Sequence, residues 1–258
     1  LADRRCRVIH GDSIRTYVID RNINYTNVCT AKCTFCAFRR DQGDDDAYTL
    51  EYEELLQKIR EVVAIGGTQI LMQGGMNPEL PLDWYVELLR RIKAEFPDLH
   101  VHAFSPPEFI EFVNFFDPAG DTLADKLRTV LAPLVAAGLD SIPGGGGEIF
   151  ADAVRRKIGL GKCTAEAWLT VMRVAHEFGL NTSATMMFGH IEGVGDRIHH
   201  MELVRRWQDD AIRDFAADGG GRYHAFISWP FQPDNTPLGR LKAWGDVEGD
   251  DPDAPFPG

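Results

Sequence analysis

Strand-like and helix-like stretches alternate along most of this 258-residue sequence. Short runs of apolar and β-branched residues predict strands at 16–24, 68–72, 99–104, 140–142, 182–188 and 223–229. Apolar residues at helical spacing predict helices near 50–65, 85–96, 123–137, 165–178 and 196–209, and Thr49 is expected to cap the first. Because strands that alternate with helices pair in parallel, we expect an α/β fold, a full or partial (β/α) barrel of TIM type with about six β/α units.

The charge balance narrows the class of partner. The chain has 27 Lys and Arg against 39 Asp and Glu, which gives a net charge of −12. An acidic chain of this kind argues against nucleic acid and against anionic membranes as partners. Because the sequence has neither a transmembrane-length apolar run nor an apolar signal-peptide core, we expect a cytoplasmic protein.

The two ends of the sequence are unusual. The first residue is Leu rather than Met, and the last segment is rich in Asp, Gly and Pro. We therefore assign residues 1–241 to the barrel and 242–258 to an incomplete C-terminal tail of a truncated chain.

Three of the five cysteines fall on one short segment. Residues 27–40 read NVCTAKCTFCAFRR, which places Cys29, Cys33 and Cys36 in a C-x-x-x-C-x-x-C spacing. Three thiolates can bind three irons of a cubane and leave the fourth iron open to another molecule. A structural zinc site would need a fourth ligand, and no histidine lies between His10 and His100. A zinc site completed from a distant segment, or a chance cluster, is the alternative.

Other unusual residues follow the predicted strands, where a β/α barrel carries its chemistry. Gln73, Gly74 and Gly75 end the second strand, and glycines let the backbone approach a ligand closely. A four-glycine loop after the fourth strand leads to Glu148, which we expect to accept hydrogen bonds from ribose hydroxyls. Arg155 is expected to pair with a carboxylate. A simple turn and a flexible connection are the alternatives for the two glycine segments.

Two further strands end in candidate groups. His102 lies on the third strand, where it could exchange a proton with a ligand, or serve only as a buried hydrogen-bonded residue. The last strand ends in WPFQPDNT, in which Trp229, Gln232 and Asn235 offer an aromatic wall and amide hydrogen bonds. A capping turn over a core aromatic is the alternative for this last segment.

The cysteine spacing, with the aromatic Phe35 just before the third cysteine, resembles the radical S-adenosylmethionine superfamily. The resemblance implies a [4Fe–4S] cluster whose open iron chelates S-adenosylmethionine through its amino and carboxylate groups. Electron transfer from the cluster would then release a 5′-deoxyadenosyl radical. It further implies that the backbone around Gly74 and Gly75 receives the methionine ammonium, and that the fold is a full or partial β/α barrel.

Motifs between about residue 16 and residue 241 narrow the resemblance to the cyclic dehypoxanthinyl futalosine synthases of menaquinone biosynthesis. They read DRNINYTNVC, LMQGGMNPEL, HAFSPPE, IPGGGGEI, ATMMFGH and WPFQPDNT. The acidic insert at 210–222 departs from that family. The resemblance implies dehypoxanthine futalosine as substrate and an electron donor such as flavodoxin or ferredoxin. The ribose 4′ carbon would lose hydrogen and add to the benzoate ring, and His102 is our candidate for the base that takes the ring proton.

Two alternatives stay open. Aminofutalosine synthase and the radical enzymes that build the deazaflavin chromophore (FO synthases) share much of this motif set. A non-catalytic iron–sulfur or zinc protein, such as an electron carrier, belongs to another functional class. An electron carrier normally closes every cluster position with a protein ligand, which three cysteines do not do.

Overall fold

The structure is a computed structural model that describes residues 2–11, 14, 16–160, 163–215 and 219–240. The strands are β1 (Asp20–Ile23), β2 (Gln69–Met72), β3 (His100–Ala103), β4 (Ser141–Ile142), β5 (Asn181–Phe188) and β6 (Tyr223–Pro230). The α-helices are α1 (Ala2–His10), α2 (Tyr52–Ala64), α3 (Leu82–Glu95), α4 (Pro106–Phe116), α5 (Leu123–Ala136), α6 (Asp152–Lys157), α7 (Ala165–Glu177) and α8 (Val194–Asp214). A 3-10 turn, Leu238–Arg240, follows β6.

The six strands form one parallel sheet in the order β1-β2-β3-β4-β5-β6. Sequential order with a helix between neighbouring strands makes this a half-barrel, which confirms the fold predicted from the sequence. All six carboxyl ends therefore lie at one edge of the sheet, where the loops that carry the predicted site residues begin.

The two faces of the sheet differ in character. Ile70 on β2 and Val101 on β3 belong to the main hydrophobic core, which fills the space between the sheet and its helices. Because side chains alternate along a strand, their neighbours Gln69, His100 and His102 lie on the opposite, concave face. The concave face is therefore partly polar, as the interior of a half-barrel that receives a polar ligand would be.

A second, smaller hydrophobic cluster lies beside the predicted site. It is built from Ile149, Ile158, Met187, Phe231 and their neighbours. Partly buried side chains from the cysteine loop and from the end of β6 pack against it. This cluster therefore joins the loops at the carboxyl edge to one another.

Several element boundaries differ from the sequence predictions. The first strand is shorter than 16–24, and the cap of α2 is Glu51 rather than Thr49. The Thr49 hydroxyl instead lies 2.9 Å from that of Thr26, so it joins two loops. Helix α8 continues to Asp214, well into the acidic insert, because its polar face is rich in ion pairs along the helix.

Helix α4 is the main element that the sequence reading missed. The sequence predicts only a strand that ends at residue 104, whereas Ser105 caps a helix that begins at Pro106. Proline suits the first helical position because the amide it lacks would have no partner there. The predicted tail at 242–258 lies outside the described residues. Within the described part of the chain, no helix is long and apolar enough to span a membrane.

Candidate active site

The three clustered cysteines lie on the loop that leaves β1 at the carboxyl edge of the sheet. The Cys29 amide donates to the Arg40 carbonyl at 3.1 Å, which closes the loop at its base. The Cys36 amide donates to the Cys33 carbonyl at 3.2 Å, so the last two cysteines share one tight turn. The thiols are thereby presented from one short, hydrogen-bonded segment.

Three distant segments hold this loop in place. The Thr30 amide donates to Met76 at 3.0 Å, and the Thr34 amide donates to Ile158 at 3.0 Å. The Thr34 carbonyl in turn accepts a 2.8 Å hydrogen bond from the Leu238 amide. The loop is thus fixed by the glycine segment after β2, by the end of α6 and by the 3-10 turn after β6.

The thiols are partly buried and influence one another. Burial raises the pKa of Cys29 and raises the pKa of Cys33 to about 12, and the charges of Cys29 and Cys36 add to the effect at Cys33. Among the described residues, no three His, Cys, Asp or Glu side chains converge on a position for a single metal ion. In a cubane each thiolate binds its own iron, and three thiols from one loop fit a [4Fe–4S] cluster with one open iron.

Gly74 and Gly75 are required by the contact between β2 and the cysteine loop. A Cβ on Gly74 would lie 2.4 Å from the Tyr25 ring, and one on Gly75 would lie 2.1 Å from the Val28 carbonyl oxygen. Their amides donate to Glu108 at 3.2 Å and to Thr26 at 2.8 Å. The carbonyl oxygens are therefore the groups through which this segment can receive an ammonium.

The four-glycine loop packs closely against protein atoms. A Cβ on Gly144 would lie 2.7 Å from the Ser183 carbonyl oxygen, and one on Gly146 would lie 2.2 Å from Pro107. A Cβ on Gly145 would lie 2.4 Å from the side-chain amide of Gln73. These contacts account for the glycines without a ligand, and they bring Gln73 to the four-glycine loop.

Glu148 has the features of a ligand-binding carboxylate. It is buried, and its backbone has a φ of 35°, a left-handed conformation that costs free energy for a side chain with a Cβ. Its Oε1 accepts from the Gly146 amide at 3.0 Å, while its buried Oε2 has no hydrogen-bond partner. Burial raises the pKa of this carboxyl to about 7. Because an unpaired buried oxygen is costly, a hydroxyl donor from a ligand would be stabilising here.

Arg155 is buried beneath the same loop and donates five hydrogen bonds to four backbone carbonyls. Its Nε and Nη2 reach Cys163 O at 3.0 and 2.5 Å, and Nη2 also reaches Gly146 O at 3.0 Å. Its Nη1 donates to Gly147 O at 2.8 Å and to Ile149 O at 3.0 Å. All three nitrogens are therefore used within the protein, and the predicted pairing with a carboxylate stays a prediction.

His102 lies on the concave face beside β4. Its Nδ1 is 2.6 Å from Ser141 Oγ, and His100 Nε2 is also 2.6 Å from the same oxygen. Burial, and then the charge of His100, lower the pKa of His102 to about 4. The ring is therefore neutral near pH 7, with Nε2 as its second nitrogen.

The remaining predicted residues lie around the second cluster and after β6. Phe35 and Trp229 pack against that cluster, and Trp229 is paired in register with Met187. Gln232 is exposed, with its amide 3.3 Å from Pro230 O, and Asn235 is an exposed residue with a φ of 59°. Phe35 thus attaches the cysteine loop, to which it belongs, to that cluster, whereas Gln232 and Asn235 face solvent.

Four structural contributors were missed by the sequence reading: Tyr25, Glu108, Gly159 and Leu238. Glu108 was visible in part, because Ser105 and Glu108 form the S-x-x-E pattern of a capping box. Gly159 has a φ of 83°, and a Cβ there would lie 2.8 Å from Cys33 Cα. Such contacts join residues far apart in the sequence, so no local pattern indicates them.

Comparisons with known proteins agree with this arrangement. The chain is 41% identical over 90% of its length to cyclic dehypoxanthine futalosine synthase of Halalkalibacterium halodurans, covering 59% of that protein. It is 40% identical over 92% of its length to FO synthase of Nocardia farcinica, and it covers 26% of that protein. It is 40% identical over 87% to 5-amino-6-(D-ribitylamino)uracil–L-tyrosine 4-hydroxyphenyl transferase of Methanopyrus kandleri, covering 57%. The chain thus spans less than two thirds of each of these relatives.

Solved structures share the fold at low sequence identity. Methylornithine synthase (PylB) superposes with a TM-score of 0.62 at 14% identity, over 86% of this chain and 56% of that one. The hydrogenase maturase HydG from Carboxydothermus hydrogenoformans superposes with a TM-score of 0.55 at 17% sequence identity. This superposition covers 86% of this chain and 47% of HydG. The sequence profile of the Radical SAM superfamily, whose members use a [4Fe–4S] cluster and S-adenosylmethionine, matches residues 23–204. The chain belongs to the radical SAM superfamily.

Proposed function

We propose that this chain catalyses a radical cyclisation of dehypoxanthine futalosine in menaquinone biosynthesis. The observation that carries the proposal is its similarity to the Halalkalibacterium cyclase across nearly the whole chain. The loop of three thiols at the carboxyl edge of a half-barrel supports the same chemistry. When bound, the cluster and S-adenosylmethionine supply a 5′-deoxyadenosyl radical.

In this proposal Cys29, Cys33 and Cys36 hold the cluster, and Phe35 packs against the second hydrophobic cluster beneath them. The carbonyls around Gly74 and Gly75 receive the methionine ammonium. They are suited to this because the amides of both glycines already donate to protein acceptors.

Glu148 and Arg155 complete the proposed cofactor site. The unpaired Oε2 of Glu148 accepts a hydrogen bond from a ribose hydroxyl. Arg155 holds the four-glycine loop through its carbonyl contacts, and its buried charge favours a nearby carboxylate. Gln73 joins this loop to the end of β2.

The concave face holds the substrate in this proposal. His102 and the loops at the carboxyl edge orient the ribose and benzoate parts, while Trp229 at the end of β6, with Gln232 and Asn235 beyond it, closes the open end. The chief task is to hold the ribose 4′ carbon against the benzoate ring and to exclude water, which is a problem of proximity and orientation. His102 accepts the proton that the ring loses, because its neutral ring presents Nε2 on this face.

A second candidate function is supported by a specific observation. The FO synthase and the hydroxyphenyl transferase are 40% identical to this chain, almost the same value as the cyclase. The substrates would then be L-tyrosine and 5-amino-6-(D-ribitylamino)uracil, the two compounds for which the transferase is named. The WPFQPDNT segment, which begins with the last two residues of β6, is what favours the cyclase.

A direct test uses the protein purified and reconstituted without oxygen. We expect about four irons and four sulfides per chain, and conversion of dehypoxanthine futalosine to its cyclic form with release of 5′-deoxyadenosine. Turnover of tyrosine with the ribitylaminouracil instead would replace the cyclase with the second candidate. Cys33→Ser should remove the cluster and the deoxyadenosine, while Cys6→Ser, on α1, should leave both unchanged. One zinc without iron would overturn both candidates.

The reaction also needs a source of low-potential electrons. We propose a small donor such as flavodoxin or ferredoxin, and we place the reaction in the cytoplasm. The net charge of −12 is consistent with a small-molecule substrate rather than nucleic acid or a membrane surface. Replacing a chemical reductant by reduced flavodoxin should sustain turnover, and failure of every small protein donor would contradict this part of the proposal.

A further inference from the structure

A continuous line of hydrogen bonds crosses β3 and β4 on the concave face. His102 and Ser141 are paired in register, and the Ser141 hydroxyl lies 2.6 Å from His102 Nδ1 and 2.6 Å from His100 Nε2. We propose that these three residues form a proton relay that carries a proton from the half-barrel interior to solvent. The inference rests on the proposed function, in which the attacked ring must lose a proton.

The solvent exposure of the three side chains indicates the direction in which the relay would move a proton. His102 is half-buried on the concave face, Ser141 is 5% exposed, and His100 is exposed at the amino end of β3. Because His100 and His102 are two residues apart on one strand, both rings lie on the same face. The line therefore runs from the interior, through a buried hydroxyl, to a ring that contacts water.

Because each group in the relay holds a limited number of protons, each of its atoms must be either a donor or an acceptor at a given step. A serine hydroxyl carries one proton, so it can donate to one ring only while it accepts from the other. For outward transfer, His102 takes the substrate proton at Nε2 and gives its Nδ1 proton to Ser141 Oγ. The hydroxyl proton passes to His100 Nε2, and His100 releases its Nδ1 proton to water. Both rings then return to their first tautomer by exchange with water.

No other bond changes in the relay. The benzoate carbon that has bonded to the ribose loses one proton to His102. The electron that must also leave the benzoate ring goes to a one-electron acceptor of the iron–sulfur class. The relay itself moves protons only, so each histidine imidazole ends with the charge that it began with. This separates the relay from the radical steps and allows the two to be measured apart.

The charges around the two rings favour the neutral state that the relay needs. Burial lowers the pKa of both histidines; at His100 the charge of Lys93 lowers it further and that of Asp140 raises it. Lys93 and Asp140 bind each other at 2.6 Å, so their opposing effects come from one ion pair. On the β2 side, the register places Gln69 beside His100 and Leu71 beside His102, and neither titrates.

The ring tautomers can be measured on the protein without its cofactors. We expect nitrogen-15 spectra to show His102 and His100 protonated at Nδ1 and unprotonated at Nε2. In Ser141→Ala the His102 preference should disappear, whereas His199→Gln, an exposed histidine on α8, should leave both signals unchanged. Protonation of His102 at Nε2 would overturn the relay, because that nitrogen could not accept the substrate proton.

The reconstituted enzyme supplies the second test, in single turnover. We expect Ser141→Ala and His100→Gln to form 5′-deoxyadenosine at the wild-type rate, but to form cyclic product about 100-fold more slowly, as for loss of a general base. A solvent deuterium effect on product formation should accompany the slow step. If wild type cyclises the substrate and both variants match it, the relay is wrong. If wild type makes no cyclic product, the proposed function is wrong, and the tautomer measurement alone judges the relay.

Discussion

The Tyr25 hydroxyl donates a 2.5 Å hydrogen bond to Glu108 Oε1 in the protein interior. The same carboxylate accepts from the Gly74 amide at 3.2 Å, and from the Ser105 amide and hydroxyl at 2.7 and 2.6 Å. Burial raises the pKa of Glu108, while these four donors oppose the shift. One side chain on α4 thus joins the loop after β1 to the glycine segment after β2.

We expect Glu108→Gln to destabilise the protein by about 1–3 kcal/mol, because the new amide group would face donors and leave at least one of them unpaired. The free energy of unfolding, measured with a chemical denaturant on cofactor-free protein, checks this. Glu79→Gln is the matched control, since Glu79 is exposed beside the same glycine segment. Equal losses in the two variants would show that the buried contacts contribute nothing.

Gly159→Ala should damage the cysteine loop. Gly159 has a φ of 83°, and a Cβ there would lie 2.3 Å from Lys32 O and 2.8 Å from Cys33 Cα. Gly189→Ala is the control, because Gly189 has a φ of 82° with no atom within 4 Å of its Cβ position. The backbone conformation alone should cost about 1–2 kcal/mol in both variants.

Only Gly159→Ala should also lower the iron and sulfide retained after anaerobic reconstitution. Metal analysis and the cluster absorbance give the measurement. Equal cluster content in the two variants would mean that the contact with Cys33 does not position the loop.

Arg155→Lys should destabilise the protein on the order of 3 kcal/mol, because an ammonium cannot replace a planar guanidinium that donates to several carbonyls at once. Gly146 O, Gly147 O and Ile149 O would lose donors together. The adjacent Arg156 is exposed, and Arg156→Lys should change the free energy of unfolding by less than about 0.5 kcal/mol. A near-neutral Arg155→Lys would contradict the structural role given to the guanidinium.

His176 should make stability depend on pH. Its Nε2 lies 2.8 Å from Thr182 Oγ1, and burial, followed by the charge of Arg173, lowers its pKa from 6.5 to about 4. Between these values the unfolded chain binds a proton that the folded protein does not, so stability is lost as the pH falls through this window. The full effect is roughly 3 kcal/mol.

Denaturation of wild type and His176→Gln at several pH values between 7 and 4 tests this expectation. The variant should show a flatter dependence, whereas His199→Gln should follow wild type. Parallel curves for wild type and His176→Gln would contradict the assignment.

The sequence predicted the six strands and the carboxyl-edge positions of the cysteines, because periodicity and turn residues are local signals. Helix α4 was missed although Ser105 and Glu108 carry a helix-start pattern, because prolines such as Pro106 and Pro107 also commonly follow the end of an extended segment. The partners of Arg155 could not be read, because backbone carbonyls leave no trace in residue types. The pairing of Tyr25 with Glu108 joins positions 83 residues apart and depends on how the loop after β1 meets α4.

The hydrogen bond from Leu238 to Thr34 has a consequence for biogenesis. The cysteine loop is translated before the residues that hold it, since its backbone contacts include Ile158 and are completed only by Leu238, some two hundred residues later. Ile158 and Leu238 must therefore both have emerged from the ribosome before the cysteine loop can adopt its folded conformation. Iron–sulfur assembly factors are therefore expected to deliver the cluster only after Leu238, and with it all six strands, has been translated.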